Sequence, residues 1–323
     1  MNVMKKKKEQ KLVPQHKRSF WGNLCYYKEY YLMLIPGILF FLVFCYGPMY
    51  GLVIAFQDYY PLKGVTGSKM VGLKHFRALF TDPFFLSVLK NTIVISFYKL
   101  LVCFPAPILL CLALNEISNY RFKKIAQSVS YLPHFVSWVV VSGIIIEFLS
   151  PSRGPINILL QNLGMEPIFF VAEPKYFRGV LVLSDLWKSV GWGSIVYLAA
   201  VTSVDPTLYE AAEMDHASGW QKFKDITLPE LKPLCVFVFI TVTIGAFRML
   251  VQPMVMTGGG PDHSTYTLVY DIYETGTMNW EMGLASTMAI VFTIFVVILT
   301  IIQNVLTKGK EEKKHVNKKA KNI

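Results

Sequence analysis

The sequence predicts an all-α integral membrane protein with six transmembrane helices and one cytoplasmic helix–turn–helix loop. Three observations carry this. First, 53% of the 323 residues are hydrophobic and only 16% are charged, where a soluble domain carries about 25% charged residues; mean hydropathy is +0.42. Second, six stretches approach the roughly 20 apolar residues that a helix needs to cross about 30 Å of hydrocarbon. Third, Lys and Arg collect on alternate loops, the asymmetry that orients membrane proteins. The same composition excludes a disordered chain.

The spans fall at 31–56, 92–115, 125–149, 179–204, 233–256 and 284–306. The Lys run at 5–8 resembles the start of a secretory signal. The apolar stretch begins only at Tyr31 and is too long for a signal core, so the first span is expected to be a retained anchor. With both termini and the loops at 116–124 and 205–232 assigned to the cytoplasm, the inner segments hold 21 Lys and Arg and the outer loops eight. This divides the chain into a basic cytoplasmic tail at 1–30, a six-span body at 31–306 and a second basic tail at 307–323. The formal charge of +11 is thereby a topological signal, with no patterned aromatic residues to support nucleic-acid binding. The five Cys form no CxxC pair and the six His no metal-binding spacing, which argues against disulfide frameworks and metal sites.

The spans are not plain lipid-facing rods. Pro36, Pro48, Pro105, Pro107, Pro133 and Pro253 interrupt or border them, and Lys99, Glu147, Asp185, Lys188 and Arg248 lie at or near membrane depth. Charges there normally face protein or a water-filled cavity, so the pattern fits a bundle that moves a polar solute. Asp185 and Lys188, one helical turn apart, are expected to neutralise each other. Lys99 is close enough to a span end to snorkel. Arg248 reads as the most central charge and the likeliest to line a cavity.

One inner loop breaks the basic pattern. The segment 205–232 holds six acids against three Lys, so an anionic leaflet would repel it. Asp205 and Pro206 are a good N-cap and first helical position. A short helix is expected over 207–216, a turn at Ser218-Gly219, and a second apolar stripe from Trp220 that ends at Pro229.

The runs Glu-Ala-Ala-Glu-Met-Asp-His-Ala at 210–217, Trp-Gln-Lys-Phe at 220–223 and Ile-Thr-Leu-Pro at 226–229 resemble the EAA loop of bacterial ABC importer permeases. His216 stands where that family usually has Gly, with Gly219 as the expected substitute at the turn. Further runs resemble the sugar branch of these permeases, including the LplB-like group: Ile-Pro-Gly at 35–37, Tyr-Gly-Pro-Met-Tyr-Gly at 46–51, Val-Gly-Leu-Lys-His-Phe at 71–76, Asn91-Thr92, Tyr-Leu-Pro-His-Phe-Val-Ser-Trp at 131–138, and Met-Thr-Gly-Gly-Gly-Pro at 256–261.

The resemblance implies a type I ABC importer permease of MetI-like fold in the bacterial cytoplasmic membrane. It implies carbohydrate import, a second homologous permease subunit, two ATPase subunits and an extracytoplasmic sugar-binding protein, which is a lipoprotein if the cell is Gram-positive. No nucleic acid is expected as a partner. No Walker A motif is present, so this chain is not an enzyme and binds no cofactor; ATP and Mg belong to the ATPase subunits. Glu210, Ala211, Ala212, Asp215 and Gly219 would couple to the ATPases, with Glu210 as the charged anchor. Trp187, Trp192, Tyr197, Phe247, Arg248 and Gln252 are the substrate-path candidates, since aromatic faces and polar groups suit sugars. The alternatives are an ion-gradient secondary carrier, which leaves the acidic loop without a role and usually needs repeated halves, a non-transport membrane scaffold or sensor, and an ABC permease for amino acids or peptides.

Overall fold

The computed structural model describes residues 26–320, with side chains as far as Val305. The expected tails lie outside the described residues, apart from 26–30 and the backbone of 307–320. The chain divides into two units, Met1–Leu52 and Val53–Ile323. In the first, α1 (Lys28–Phe40) runs into a π-helical turn, Phe41–Tyr46. A 3₁₀ stretch, Gly47–Phe56, continues the same candidate span, Lys28–Phe56.

The second unit is mostly helical. A two-residue antiparallel pair, β1 (Gln57–Asp58) with β2 (Lys69–Met70), precedes α2 (Lys74–Thr81). Then α3 (Pro83–Cys103) starts at the Asp82 N-cap, which accepts the Phe84 amide at 2.9 Å. Pro83 supplies the preset φ of a first helical turn. After Phe104, α4 (Pro105–Asn115) completes the second span. This span begins nine residues earlier than the hydropathy alone placed it, because the amphipathic start at Phe84 and Phe85 is helical too.

The third stretch is broken. α5 (Tyr120–Phe135) and α6 (Trp138–Phe148) meet at an angle of 104°. Pro133 weakens the last turn of α5, and Val136 and Ser137 are extended. Ser137 then caps α6 by accepting the Val140 amide. After α7 (Pro155–Asn162), α8 (Pro174–Thr202) runs for 29 residues. That is about 43 Å of helix, enough to cross. Among the described residues, four helical stretches meet the length and apolarity of a span and the bent pair makes a fifth. α8 is the sixth by length, and Asp185 and Lys188 in its middle lower its apolarity.

The loop at 205–227 folds as a hairpin of α9 (Pro206–Met214) and α10 (Gly219–Lys222), followed by a π-helical stretch, Phe223–Thr227. The second arm does not end at Pro229. It continues through α11 (Leu228–Phe247) as one 29-residue span, Gly219–Phe247. Pro229 sits in the first turn of α11, where a missing N–H costs nothing, and the wide turn before it takes up the mismatch. The fifth span therefore ends at Phe247 rather than at 256. A separate helix, α12 (Val251–Thr257), follows. α13 (Leu268–Thr277) and the long α14 (Met282–Ala320) complete the chain.

Three apolar clusters hold the second unit. Leu79, Phe85, Val88, Tyr266, Leu268 and Met288 join α2, α3, α13 and α14. Leu149, Val171, Phe177, Leu181 and Met256 join α8 to α12 and the end of α6. Cys111, Tyr197, Val201 and Leu231 join α4, α8 and α11. Large apolar side chains elsewhere on the spans, such as Leu109, Leu132, Phe237 and Val297, are exposed. Lipid is as apolar as a leucine side chain, so such faces carry no penalty in a bilayer.

Candidate functional site

Three of the charges within the spans, Lys99, Asp185 and Lys188, are resolved by contacts between helices. Lys99 on α3 and Asp185 on α8 form an ion pair at 2.9 Å, with the Lys99 side chain 9% and the Asp185 side chain 20% exposed. Lys99 Nζ also lies 3.4 Å from Met249 Sδ. Lys99 thus does not snorkel, and Asp185 forms its ion pair with Lys99 rather than with Lys188.

Lys188 serves the broken span instead. Its ammonium donates to the carbonyls of Pro133, His134 and Val136 at 3.2, 2.7 and 2.5 Å. A helix C-terminus leaves its last carbonyls short of their usual partners, and they carry the negative end of the helix dipole; here Pro133 O also accepts the Val136 amide at 3.2 Å. One turn along α8, Trp192 stacks flat on His134, with ring centroids 4.5 Å apart, and meets Phe135 edge-on. The Tyr131–Trp138 run is therefore a kinked segment clamped by α8.

The Lys99–Asp185 pair lines a cavity of about 330 Å³ with Cys103, Phe104, Ser189, Trp192 and Tyr197. Tyr197 is fully buried and its hydroxyl has no hydrogen-bond partner. Of the six path candidates, only Trp192 and Tyr197 meet here. Trp187 is half-exposed on an apolar groove with Ile144, Phe148 and Leu183. Phe247 is buried and packs edge-on against Phe295. Gln252 is a buried clip whose Nε2 donates to Leu181 O at 2.7 Å and Ser184 Oγ at 2.8 Å. Arg248, expected in mid-span, is exposed at the C-terminal end of α11. The helix ends there, five residues before the proline that hydropathy had counted inside the span. Lys99 and Asp185 were recognisable as ionisable groups, but 86 residues of sequence hid their partnership.

At the C-terminal end of α12 lies the glycine run. Gly258, Gly259 and Gly260 have φ of 62°, 99° and 83°. A Cβ at Gly260 would collide with Thr265 and Phe177, so the run is a compact turn packed on α8. Asn91 Nδ2 donates to His263 O at 2.9 Å, and Thr92 Oγ1 accepts the Leu268 amide at 2.8 Å. Arg178 ties both together, donating to Ser264 O at 3.0 Å and Asn91 Oδ1 at 2.7 Å. This explains the Asn91-Thr92 run; Arg178 had no local signal.

The hairpin at 205–222 presents the coupling candidates. Asp205 caps α9 by accepting the Thr207 amide at 3.0 Å, which holds its carboxyl below the usual range. Glu213 pairs with Lys222 at 2.7 Å, and that hydrogen bond lowers its pKa as well. Tyr209 Oη and Thr227 Oγ1, 2.9 Å apart, anchor α9 to the π-helical stretch. Glu210, Ala211 and Asp215 are exposed and Ala212 is half-buried. Beside them Met214 is 81% and Trp220 70% exposed. The turn lies at His216, whose φ is 53°, and not at Gly219. The Ala217 amide reaches back to Ala212 O at 2.9 Å and the His216 amide to Glu213 O at 3.0 Å, the bonding of a left-handed helix end. Gly219 is the first residue of α10, behind a Ser218–Gln221 capping box.

Comparison with known proteins matches this architecture. Residues 104–312 match the family described as binding-protein-dependent transport system inner membrane component. The chain is 48% identical over 213 residues to the polygalacturonan/rhamnogalacturonan transport system permease protein YteP of Bacillus subtilis (strain 168), covering 66% of each chain. It is 38% identical to the protein LplB of the same organism, covering 85% of this chain and 86% of LplB. A chain in the crystal structure of a bacterial alginate ABC transporter, in complex with an alginate pentasaccharide-bound periplasmic protein, superposes with a TM-score of 0.81. It is 33% identical, covering 90% of this chain and 97% of that one. This chain belongs to the binding-protein-dependent transport system inner membrane component family: it is an integral membrane permease.

Proposed function

We propose that this chain is one permease subunit of an ATP-driven importer of oligosaccharides or polysaccharide fragments. The observation that carries this is the likeness to a permease named for polygalacturonan/rhamnogalacturonan, over 66% of each chain, and to a chain of an alginate transporter, over 90% of this one. A second, homologous permease completes the pathway, an extracytoplasmic binding protein delivers the sugar, and two ATPase subunits with ATP and Mg sit on the cytoplasmic side. Both termini and the 205–222 hairpin face the cytoplasm, which the distribution of Lys and Arg supports.

The hairpin couples the two machines. Its exposed acids, small alanines and apolar Met214 and Trp220 form a knob that fits a groove on the ATPase. Because α10 is continuous with α11, a push on the knob moves a whole span. The bistable element is the bundle, whose two arrangements alternate access. The cavity around Lys99, Asp185, Trp192 and Tyr197 contributes to the path for a polar cargo. A charge pair with aromatic walls can exchange hydrogen bonds with hydroxyls in turn.

Replacing Glu210 with Lys is expected to lower uptake at least tenfold and to reduce co-purification of the ATPase. Unchanged uptake together with unchanged co-purification would overturn the docking role. Arg248→Ala separates substrate classes. If Arg248 contacts cargo, uptake of uronate oligosaccharides falls while that of neutral ones is kept; equal retention of both makes it structural.

A further inference from the structure

Away from the hairpin, residues from 58–61, 74–78 and 280–284 line a depression of about 650 Å³, within the roughly 300–1,000 Å³ range of small-molecule sites. Its floor is built rigidly. The first turn of α14 presses on β1 so closely that a Cβ at Gly283 would stand 2.7 Å from Gln57 O and 2.9 Å from His75 Nε2. Gln57 Nε2 donates to Val65 O at 2.9 Å, and Thr287 Oγ1 to Ala55 O at 3.2 Å. Asp58 holds Lys74 Nζ at 3.1 Å from both carboxylate oxygens and lies 3.4 Å from His75 Nε2. A carboxylate, an ammonium and an imidazole are thereby fixed in one place.

The rim is aromatic and poorly buried. Tyr60 is 64% and Trp280 63% exposed. Trp280 also has a φ of 59°, in the left-handed region that bulky residues avoid. The segment is held there by amide bonds from Asn279 to Glu274 O and from Glu281 to Thr275 O, both 3.0 Å. An indole in a strained backbone that gains little burial fits a ligand contact better than a packing role. Ordered polar groups beneath exposed indole and phenol rings match a pyranose. Its C–H faces stack on aromatic rings and its hydroxyls bond to the charged groups.

We propose that this depression is a carbohydrate subsite that holds a sugar ring of the incoming oligosaccharide before it reaches the cavity at Lys99 and Asp185. The proposal rests on the oligosaccharide-importer reading. It names a second contact, so longer chains gain from it and disaccharides do not.

The test uses the complete transporter in nanodiscs and proteoliposomes, wild type against Trp280→Ala, Trp280→Gly and Tyr60→Ala. The Gly variant relieves the backbone strain while removing the ring, and Tyr60 probes the other wall. The probes are oligogalacturonides and maltooligosaccharides of two and six units. Direct binding is read without the binding protein, by quenching of tryptophan fluorescence. We expect all three variants to raise KM for a six-unit probe about tenfold, with kcat and two-unit uptake unchanged, and quenching to fall in the Trp280 variants. Identical kinetics and quenching in all variants would overturn the subsite. So would unchanged quenching with weaker attachment of the binding protein, which would make this face a protein dock. If the wild type imports no sugar probe, the importer reading fails; the difference in quenching between the wild type and the Trp280 variants still decides the subsite.

Discussion

Asp271, in the first turn of α13, is 4% exposed, and its Oδ2 has no hydrogen-bond partner. Burial is the main cause that pushes its carboxyl up to about 6, with Asp82 and Glu274 adding to the effect and the Thr275 hydroxyl opposing it. The folded state therefore keeps a proton between about pH 4 and pH 6 that the unfolded chain has released. Stability falls as pH rises through that window and stays lower above it, by up to about 3 kcal/mol. Asp271→Asn removes the ionisation but keeps the acceptor for Thr275. Its melting temperature in detergent should exceed that of the wild type at pH 7.5 and match it at pH 4. An equal gain at both values would refute this account. His216 is a second residue-scale case. The sequence located the departure from the family motif, but the expectation that Gly219 would supply the turn was wrong. The hydrogen bonds that end α9 fix the left-handed position one residue after Asp215, and only His216 stands there.

At the scale of elements, the third span is the informative one. Hydropathy reads 125–149 as one helix, whereas the structure bends it by 104°. A proline alone does not set such an angle. The freed carbonyls need donors, and Lys188 supplies three hydrogen bonds from another helix. Lys188→Met removes the ammonium donor from all three; Pro133 O keeps the Val136 amide, and each carbonyl left unsatisfied costs about 1–3 kcal/mol where water cannot reach it. The variant should unfold at lower temperature and lose uptake, with Lys188→Arg keeping part of both. A melting temperature equal to that of the wild type would show that the bend does not depend on Lys188. The hairpin illustrates the converse. Its Asp205 cap and Pro206 start were legible because capping is local. Its continuity into α11 was not, because Pro229 reads as a stop unless the preceding π turn is known.

For the whole molecule, the Lys99–Asp185 pair joins α3 to α8 across the cavity. Breaking a buried pair by removing one partner costs about 3–5 kcal/mol, whereas replacing both can be near neutral. Lys99→Met and Asp185→Asn alone should each deplete the assembled transporter in the membrane. The double variant should recover assembly but import poorly if the pair also serves the cargo. Depletion in the double variant equal to the sum of the two single effects would show that the charges act independently.

What the sequence determined by itself is the membrane class, the acidic hairpin, the permease family and the residues able to carry charge in the bundle. These follow from composition, short-range periodicity and local motifs, all of which are written in adjacent residues. Only the tertiary structure decided which charges pair, where the third span breaks, and which aromatic residues meet. It put Trp192 and Tyr197 at the cavity, Phe247 and Gln252 in packing, and Arg248 at a helix end. Those outcomes depend on which helices touch. A buried charge takes the partner that packing brings within reach, and three or four residues of sequence separation do not decide that.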